Sequence, residues 1–275
     1  AGLVQSAFYL GYFFLVIPAG LIMKKFSYKT GIVIGLLLYS IGTILFLPAA
    51  IIGKYELFLF ALFVIASGLS FLETGANPFI AGLGSPEQSE RRLNFAQSFN
   101  PLGAILGVII GTVFIFSGVE PDAEKIGLMK AEGTYDAFLK SETLRIVKPF
   151  IVLGTVVFIW AIVILFVPFP ENEVKEADKG KGKISHLLKN SHFIKAVIAQ
   201  LCYVGAQVGT WSYYIQYIQD YTSGNEKTAG YILTGTLVAF GLGRFVSTYI
   251  MKFFNPIKLM AIYSFVNCIL ILIPK

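Results

Sequence analysis

Charge, cysteine and histidine are all scarce in this sequence. Charged residues make up 14% of the 275, and there are two cysteines and two histidines. Cys202 and Cys268 lie inside apolar runs with a spacing that suits neither a metal site nor a disulfide framework, so they read as small core hydrophobes. His186 and His192 fall in one polar loop, too few and too exposed to build a buried site. No dense basic block with interleaved aromatics occurs, so the net charge of +6 does not point to nucleic acid. Without a metal-ligand cluster, a buried histidine or a phosphate loop, the sequence offers no basis for an enzyme, and no cofactor or metal is expected.

What is abundant is apolar side chain. Hydrophobic residues reach 56% and the mean hydropathy is +0.72, outside the range of soluble domains. The apolar runs approach the roughly 20 residues that an α-helix needs to cross a bilayer core. In hydrocarbon each backbone group must pair within its own segment, so the expected fold is an all-α membrane protein. Eight spans are expected: Leu3–Met23, Thr30–Ala50, Leu57–Ala81, Leu93–Ser117, Pro149–Val167, Phe193–Tyr217, Thr228–Ile250 and Ile257–Ile273. Two connections are long, Gly118–Lys148 and Pro168–His192. The second carries Glu171, Glu173, Lys175, Glu176, Asp178, Lys179, Lys181 and Lys183 and reads as a solvated linker.

Lysine and arginine are unevenly shared between the two sides of these spans. Twelve, Lys24 and Lys25 among them, lie on one side and seven on the other, which makes the richer side cytoplasmic. Ile22-Met23-Lys24-Lys25-Phe26-Ser27 is echoed by Ile250-Met251-Lys252-Phe253-Phe254-Asn255, six spans later. An echo at that offset in the same orientation is what two parallel six-helix halves predict. The expected organisation is therefore residues 1–167 as helices two to six of a first half, 168–192 as a cytoplasmic linker, and 193–275 as helices seven to nine of twelve. On this numbering the first helix and the last three lie outside the 275 residues.

Glu73 is the sharpest chemical signal. It lies deep in a stretch, Leu57 to Ile80, with no other charge. A carboxylate at such depth is costly unless it is paired, hydrated or protonated, which makes Glu73 a candidate proton carrier; the alternative is a structural acid bonded between helices. Asn77 follows one helical turn later on the same face. In the next span Asn94, Gln97 and Asn100 recur at steps of three, a stripe of amides that both donate and accept, as sugar hydroxyls require. Interhelical bonding is the competing role, and Asn94, close to the cytoplasmic end, fits it best. Gln200, Tyr203, Gln207, Trp211 and Tyr214 recur at steps of three or four, setting amides, phenols and an indole on one face that suits a pyranose. Trp211 is too deep for an interfacial belt. Arg244, the other charge well inside a span, reads as a snorkelling or gating residue, and Lys24 and Lys25 as gating or structural cations. Pro18, Pro78 and Pro101, with Gly68, Gly75 and Gly103, would permit kinks and close helix packing.

These residues resemble the L-fucose–proton symporter group of the major facilitator superfamily. The resemblance runs over nearly the whole chain and is carried by Gln5-Ser-Ala-Phe-Tyr-Leu-Gly-Tyr12, Glu73-Thr-Gly-Ala-Asn-Pro-Phe79, Leu93-Asn-Phe-Ala-Gln-Ser-Phe-Asn100, Cys202-Tyr-Val-Gly-Ala-Gln207, Trp211-Ser-Tyr213 and Tyr231-Ile-Leu-Thr-Gly-Thr236. It implies a twelve-helix transporter with a central cavity between two six-helix bundles, rocking to alternate its access. By the same resemblance Glu73 takes part in proton coupling, while Gln97 and Asn100 lie near the sugar. Such families pair this Glu with an Asp on the first helix, outside this sequence. Gln207 and the Trp211-Ser-Tyr213 run resemble the fucose type more than the glucose/galactose or N-acetylglucosamine carriers. Pro101 departs from the small residue usual after Asn100.

The expected activity is proton-coupled uptake of L-fucose or a related hexose. The alternatives are a glucose/galactose or N-acetylglucosamine carrier coupled to protons or sodium, and a sugar sensor that does not transport. Expected partners are a monosaccharide, a proton and membrane lipid, with no nucleic acid, for a monomer in the bacterial inner membrane.

Overall fold

The computed structural model describes residues 2–110, 114, 123–170, 184–221 and 226–273, and all regular structure among them is helical. The chain divides into two compact units, Ala1–Ser89 with Ile109–Val174, and Glu90–Val108 with Lys175–Lys275.

In the first unit α1 (Gly2–Lys25) and α2 (Tyr28–Ile44) are joined by a short turn that Ser27 caps, its hydroxyl accepting from the Thr30 amide at 3.1 Å. Lys24 and Lys25 sit exposed in the last turn of α1, where cations complement the helix dipole. A break at Leu45 separates α2 from α3 (Phe46–Ile52), and α3 ends on Gly53, whose φ of 71° is the left-handed conformation that terminates helices. α4 (Tyr55–Gly82) packs against both α1 and α2, and α8 (Tyr135–Phe166) covers α2 and α3. Between α4 and α8 in sequence come the short α5 (Ser89–Gln97), α6 (Asn100–Ile110) and α7 (Ala123–Ala131).

Small residues decide how closely these helices approach. A Cβ on Gly68 would lie 2.5 Å from the Tyr39 nitrogen and 2.6 Å from the Gly35 carbonyl oxygen, so α2 and α4 touch backbone to backbone. Nearby, the buried Ser40 hydroxyl donates to the Gly154 carbonyl at 2.9 Å, tying α2 to α8. Phe46 and Phe150 stack with centroids 4.1 Å apart, and Lys29 donates to the Leu165 carbonyl at 2.8 Å, satisfying one of the unpaired carbonyls at the end of α8.

The second unit holds the stretch around α5 and the first part of α6, with α9 (Ile184–Lys189), α10 (Ser191–Tyr221), α11 (Glu226–Ile250) and α12 (Pro256–Leu272). α12 starts with Asn255 accepting from the Ile257 amide at 2.9 Å and Pro256 in the first turn. α10 lies beside α11. Phe95 and Phe99 of the α5 stretch meet Phe245 of α11 edge-on, with centroids 6.3 and 5.8 Å apart.

Among the described residues seven helical stretches are long and apolar enough to cross a membrane; at the eighth expected span, Ile257–Ile273, the apolar helix Pro256–Leu272 has 17 residues. Two expectations need correction. The span expected to begin at Pro149 is the latter part of a 32-residue helix from Tyr135, with Pro149 inside it. At about 1.5 Å per residue such a helix exceeds the bilayer core, so its first turns, bearing Asp136, Lys140 and the Glu142–Arg145 pair at 3.6 Å, extend the helix beyond the apolar stretch. Cys202 and Cys268 are free and exposed rather than in the core, because an apolar helix face in such a protein is as well solvated by lipid as by protein. The same reasoning covers Phe13, Phe166 and Trp160, which are 74%, 83% and 58% exposed. The linker charges from Glu171 to Lys183 and the residues 111–113 and 115–117 of the fourth expected span lie outside the described residues.

Candidate functional site

Within the first unit the candidate centre forms where α1 crosses α4. Gly11 allows the approach, since a Cβ there would lie 2.5 Å from the Phe63 carbonyl oxygen and 2.8 Å from the Ala66 methyl. One turn on, Ser70 donates to the Tyr12 carbonyl at 3.4 Å, and a further turn on the Tyr12 hydroxyl donates to Glu73 Oε1 at 3.3 Å. The Glu73 carboxyl is exposed, and among the described residues it makes no ion pair. Its partner is a neutral hydroxyl, which can stay bonded whether the carboxyl carries a proton or not. Such a group can exchange a proton; one locked against a cation could not do so without breaking the pair. Asn77 lies half-buried one turn beyond Glu73.

Within the second unit the amide stripe meets α11. Asn94 Nδ2 donates to the Thr248 hydroxyl at 2.8 Å and to the Arg244 carbonyl at 3.2 Å. Arg244 Nη1 in turn donates to Gln97 Oε1 at 3.1 Å and to the Gln97 carbonyl at 3.3 Å. The guanidinium also lies over the Phe240 ring, 5.0 Å from its centroid, a cation–π contact. Trp211 of α10 meets the same ring edge-on at 5.4 Å. Tyr214, one turn after Trp211, accepts from the Thr236 hydroxyl of α11 at 3.1 Å. The aromatic stripe of α10 is thus divided: Trp211 and Tyr214 contact α11, Gln207 is half-buried, and Gln200 and Tyr203 are exposed. Asn100 is exposed at the start of α6.

The structure brings Gln97, Arg244 and Trp211 into one connected group through Phe240, and pairs Glu73 with Tyr12. Sequence reasoning assigned no role to Tyr12, Phe240, Thr236 or Thr248. Tyr12 stood inside the Gln5–Tyr12 motif; Phe240, one turn before Arg244, is indistinguishable by type from the other phenylalanines of an apolar span.

Residues 1–274 match the family described as Major Facilitator Superfamily. The chain is 42% identical over 281 aligned residues to the L-fucose-proton symporter of Escherichia coli, covering 99% of this chain and 64% of that protein. It is 36% identical to the L-fucose-proton symporter of Haemophilus influenzae, covering 96% of this chain and 63% of the relative. To a glucose/galactose transporter of Brucella abortus the identity is 32%, covering 98% and 63%. A crystal structure of the E. coli fucose:proton symporter, FucP, superposes with a TM-score of 0.83 at 42% identity, covering 96% of this chain and 66% of that one. The chain therefore spans just under two thirds of the length of the relatives it matches. With its apolar helices, its fold and its match over almost every residue, the chain belongs to the Major Facilitator Superfamily.

Proposed function

We propose that the protein is a secondary active transporter of the bacterial inner membrane that takes up L-fucose or a related hexose together with a proton, by alternating access. The observation that supports this reading is the Glu73 carboxyl, in a helical stretch from Leu57 to Ile80 with no other charge and held by the Tyr12 hydroxyl rather than by a cation. In the proposed cycle Glu73 takes a proton when the site is open to one side and gives it up on the other. The amides of Gln97 and Asn100 take sugar hydroxyls, and Trp211 lies against the apolar C–H face of the ring. Residues 1–167 belong to the first half of this transporter, 168–192 to the linker and 193–275 to the second half. The likeness to two L-fucose-proton symporters favours fucose; the likeness to the Brucella protein keeps glucose or galactose as the second reading.

The test is uptake of radiolabelled L-fucose by the full-length protein in proteoliposomes under an imposed pH gradient. Glu73→Gln is expected to abolish concentrative uptake while sugar exchange continues. Unchanged concentrative uptake in that variant would remove Glu73 from the mechanism, and a panel of competing sugars decides between fucose and glucose or galactose.

A further inference from the structure

Proline at position 101 has a consequence one turn back. In a continuous helix the amide of residue 101 would donate to the carbonyl of Gln97, but proline has no N–H to give. The helix is interrupted here, at Ser98 and Phe99 between α5 and α6, and the Ser98 hydroxyl bonds the Asn94 carbonyl at 2.7 Å. The Gln97 carbonyl is therefore open to another donor, and Arg244 Nη1 supplies one at 3.3 Å. The same nitrogen has a second hydrogen, which reaches Gln97 Oε1 at 3.1 Å. Pro101 is fully buried and faces Gly241 of α11, where a Cβ would lie 3.3 Å from the proline ring, so the break and the arginine are held against each other.

We propose that Arg244 is a positioning residue for Gln97: it clamps the backbone and side-chain oxygens of that residue and leaves the carboxamide nitrogen as the one group presented to substrate. A guanidinium only donates, so the atom facing it must be the amide oxygen. Gln97 then acts toward a ligand solely as a hydrogen-bond donor, and the group it recognises is an acceptor oxygen of the sugar. Phe240 beneath the guanidinium and Trp211 beyond it brace the clamp from α10 and α11. This inference rests on the sugar-transport reading above.

The experiment is equilibrium binding of L-fucose, D-galactose, D-glucose and N-acetyl-D-glucosamine to the full-length protein and to Gln97→Ala, Arg244→Ala, the double variant and Gln97→Glu. Loss of a hydrogen bond involving a charged group predicts about a tenfold fall in affinity for each single alanine variant, with the double variant no weaker than the worse single. Gln97→Glu keeps a partner for Arg244 but has no nitrogen to donate, so its melting temperature should hold while affinity falls about tenfold. Multiplicative losses in the double variant, or wild-type affinity in Gln97→Glu, overturn the clamp while leaving the transport reading intact. A wild-type protein that binds none of the four sugars overturns both. Should Arg244→Ala fail to fold, Gln97→Glu alone decides the matter.

Discussion

Tyr12 donates its phenolic hydrogen to Glu73 across 3.3 Å, joining α1 to α4 at the one ionisable group of the stretch Leu57 to Ile80. The two residues are 61 positions apart, and the close approach at Gly11 together with the Ser70 bond to the Tyr12 backbone fixes how far the ring reaches. The pairing gives the carboxyl a bonding partner that does not compete for charge.

Removing that hydroxyl tests the pairing. Tyr12→Phe is expected to lower gradient-driven uptake severalfold and to leave sugar exchange largely intact. In a Glu73→Gln background the same change should add nothing to the defect in concentrative uptake, since the two residues act as one unit. Additive defects in proteoliposome assays would separate Tyr12 from proton coupling.

Trp211 should carry a large share of sugar affinity. Truncation to alanine removes a broad aromatic face and the edge contact with Phe240, and a loss of about tenfold or more in affinity is expected, near 1.4 kcal/mol. Trp211→Phe should retain part of it. Calorimetric titration with L-fucose measures both, and wild-type affinity in Trp211→Ala would place the sugar elsewhere.

The bond between Asn94 and Thr248 makes a prediction about stability. Interhelical side-chain bonds in membranes average about 0.6 kcal/mol and rarely exceed about 1.7, so Asn94→Ala should lower stability within that range. Thr248→Val should have a similar effect, and the pair together should fall short of the sum. Unfolding in detergent micelles, followed by far-ultraviolet circular dichroism, reads the difference.

The glycines singled out as packing residues are not equivalent. Gly68→Ala drives a methyl group into backbone atoms of α2 that cannot yield, with an expected cost of about 1–3 kcal/mol. Gly103 has no described atom within 4 Å of an added Cβ, so Gly103→Ala should be neutral or stabilise by up to about 1 kcal/mol through helix propensity. Melting temperatures of the two variants, measured side by side, would contradict this account if they were equal.

Hydropathy placed most of the spans because membrane insertion depends on the sum of side-chain transfer energies along a segment, a property of the sequence itself. Ends were harder. The early start of α8 at Tyr135 was missed because its first turns are polar, and a helix does not have to stop where its apolar stretch does. Glu73 was legible for the same reason as the spans: one carboxyl among apolar neighbours stands out in any linear reading.

The sequence by itself determined that the chain is helical and that its solvent is lipid, and it singled out Glu73 and the Asn94–Gln97–Asn100 stripe as candidate functional residues. Tertiary structure alone decided that Tyr12 meets Glu73, that Arg244 clasps Gln97 rather than reaching for solvent, and that Trp211 bears on Phe240. Periodicity fixes which side chains share a face of one helix. Which other helix that face meets depends on where glycines let backbones approach and where a proline opens a carbonyl, and those contacts join residues tens of positions apart.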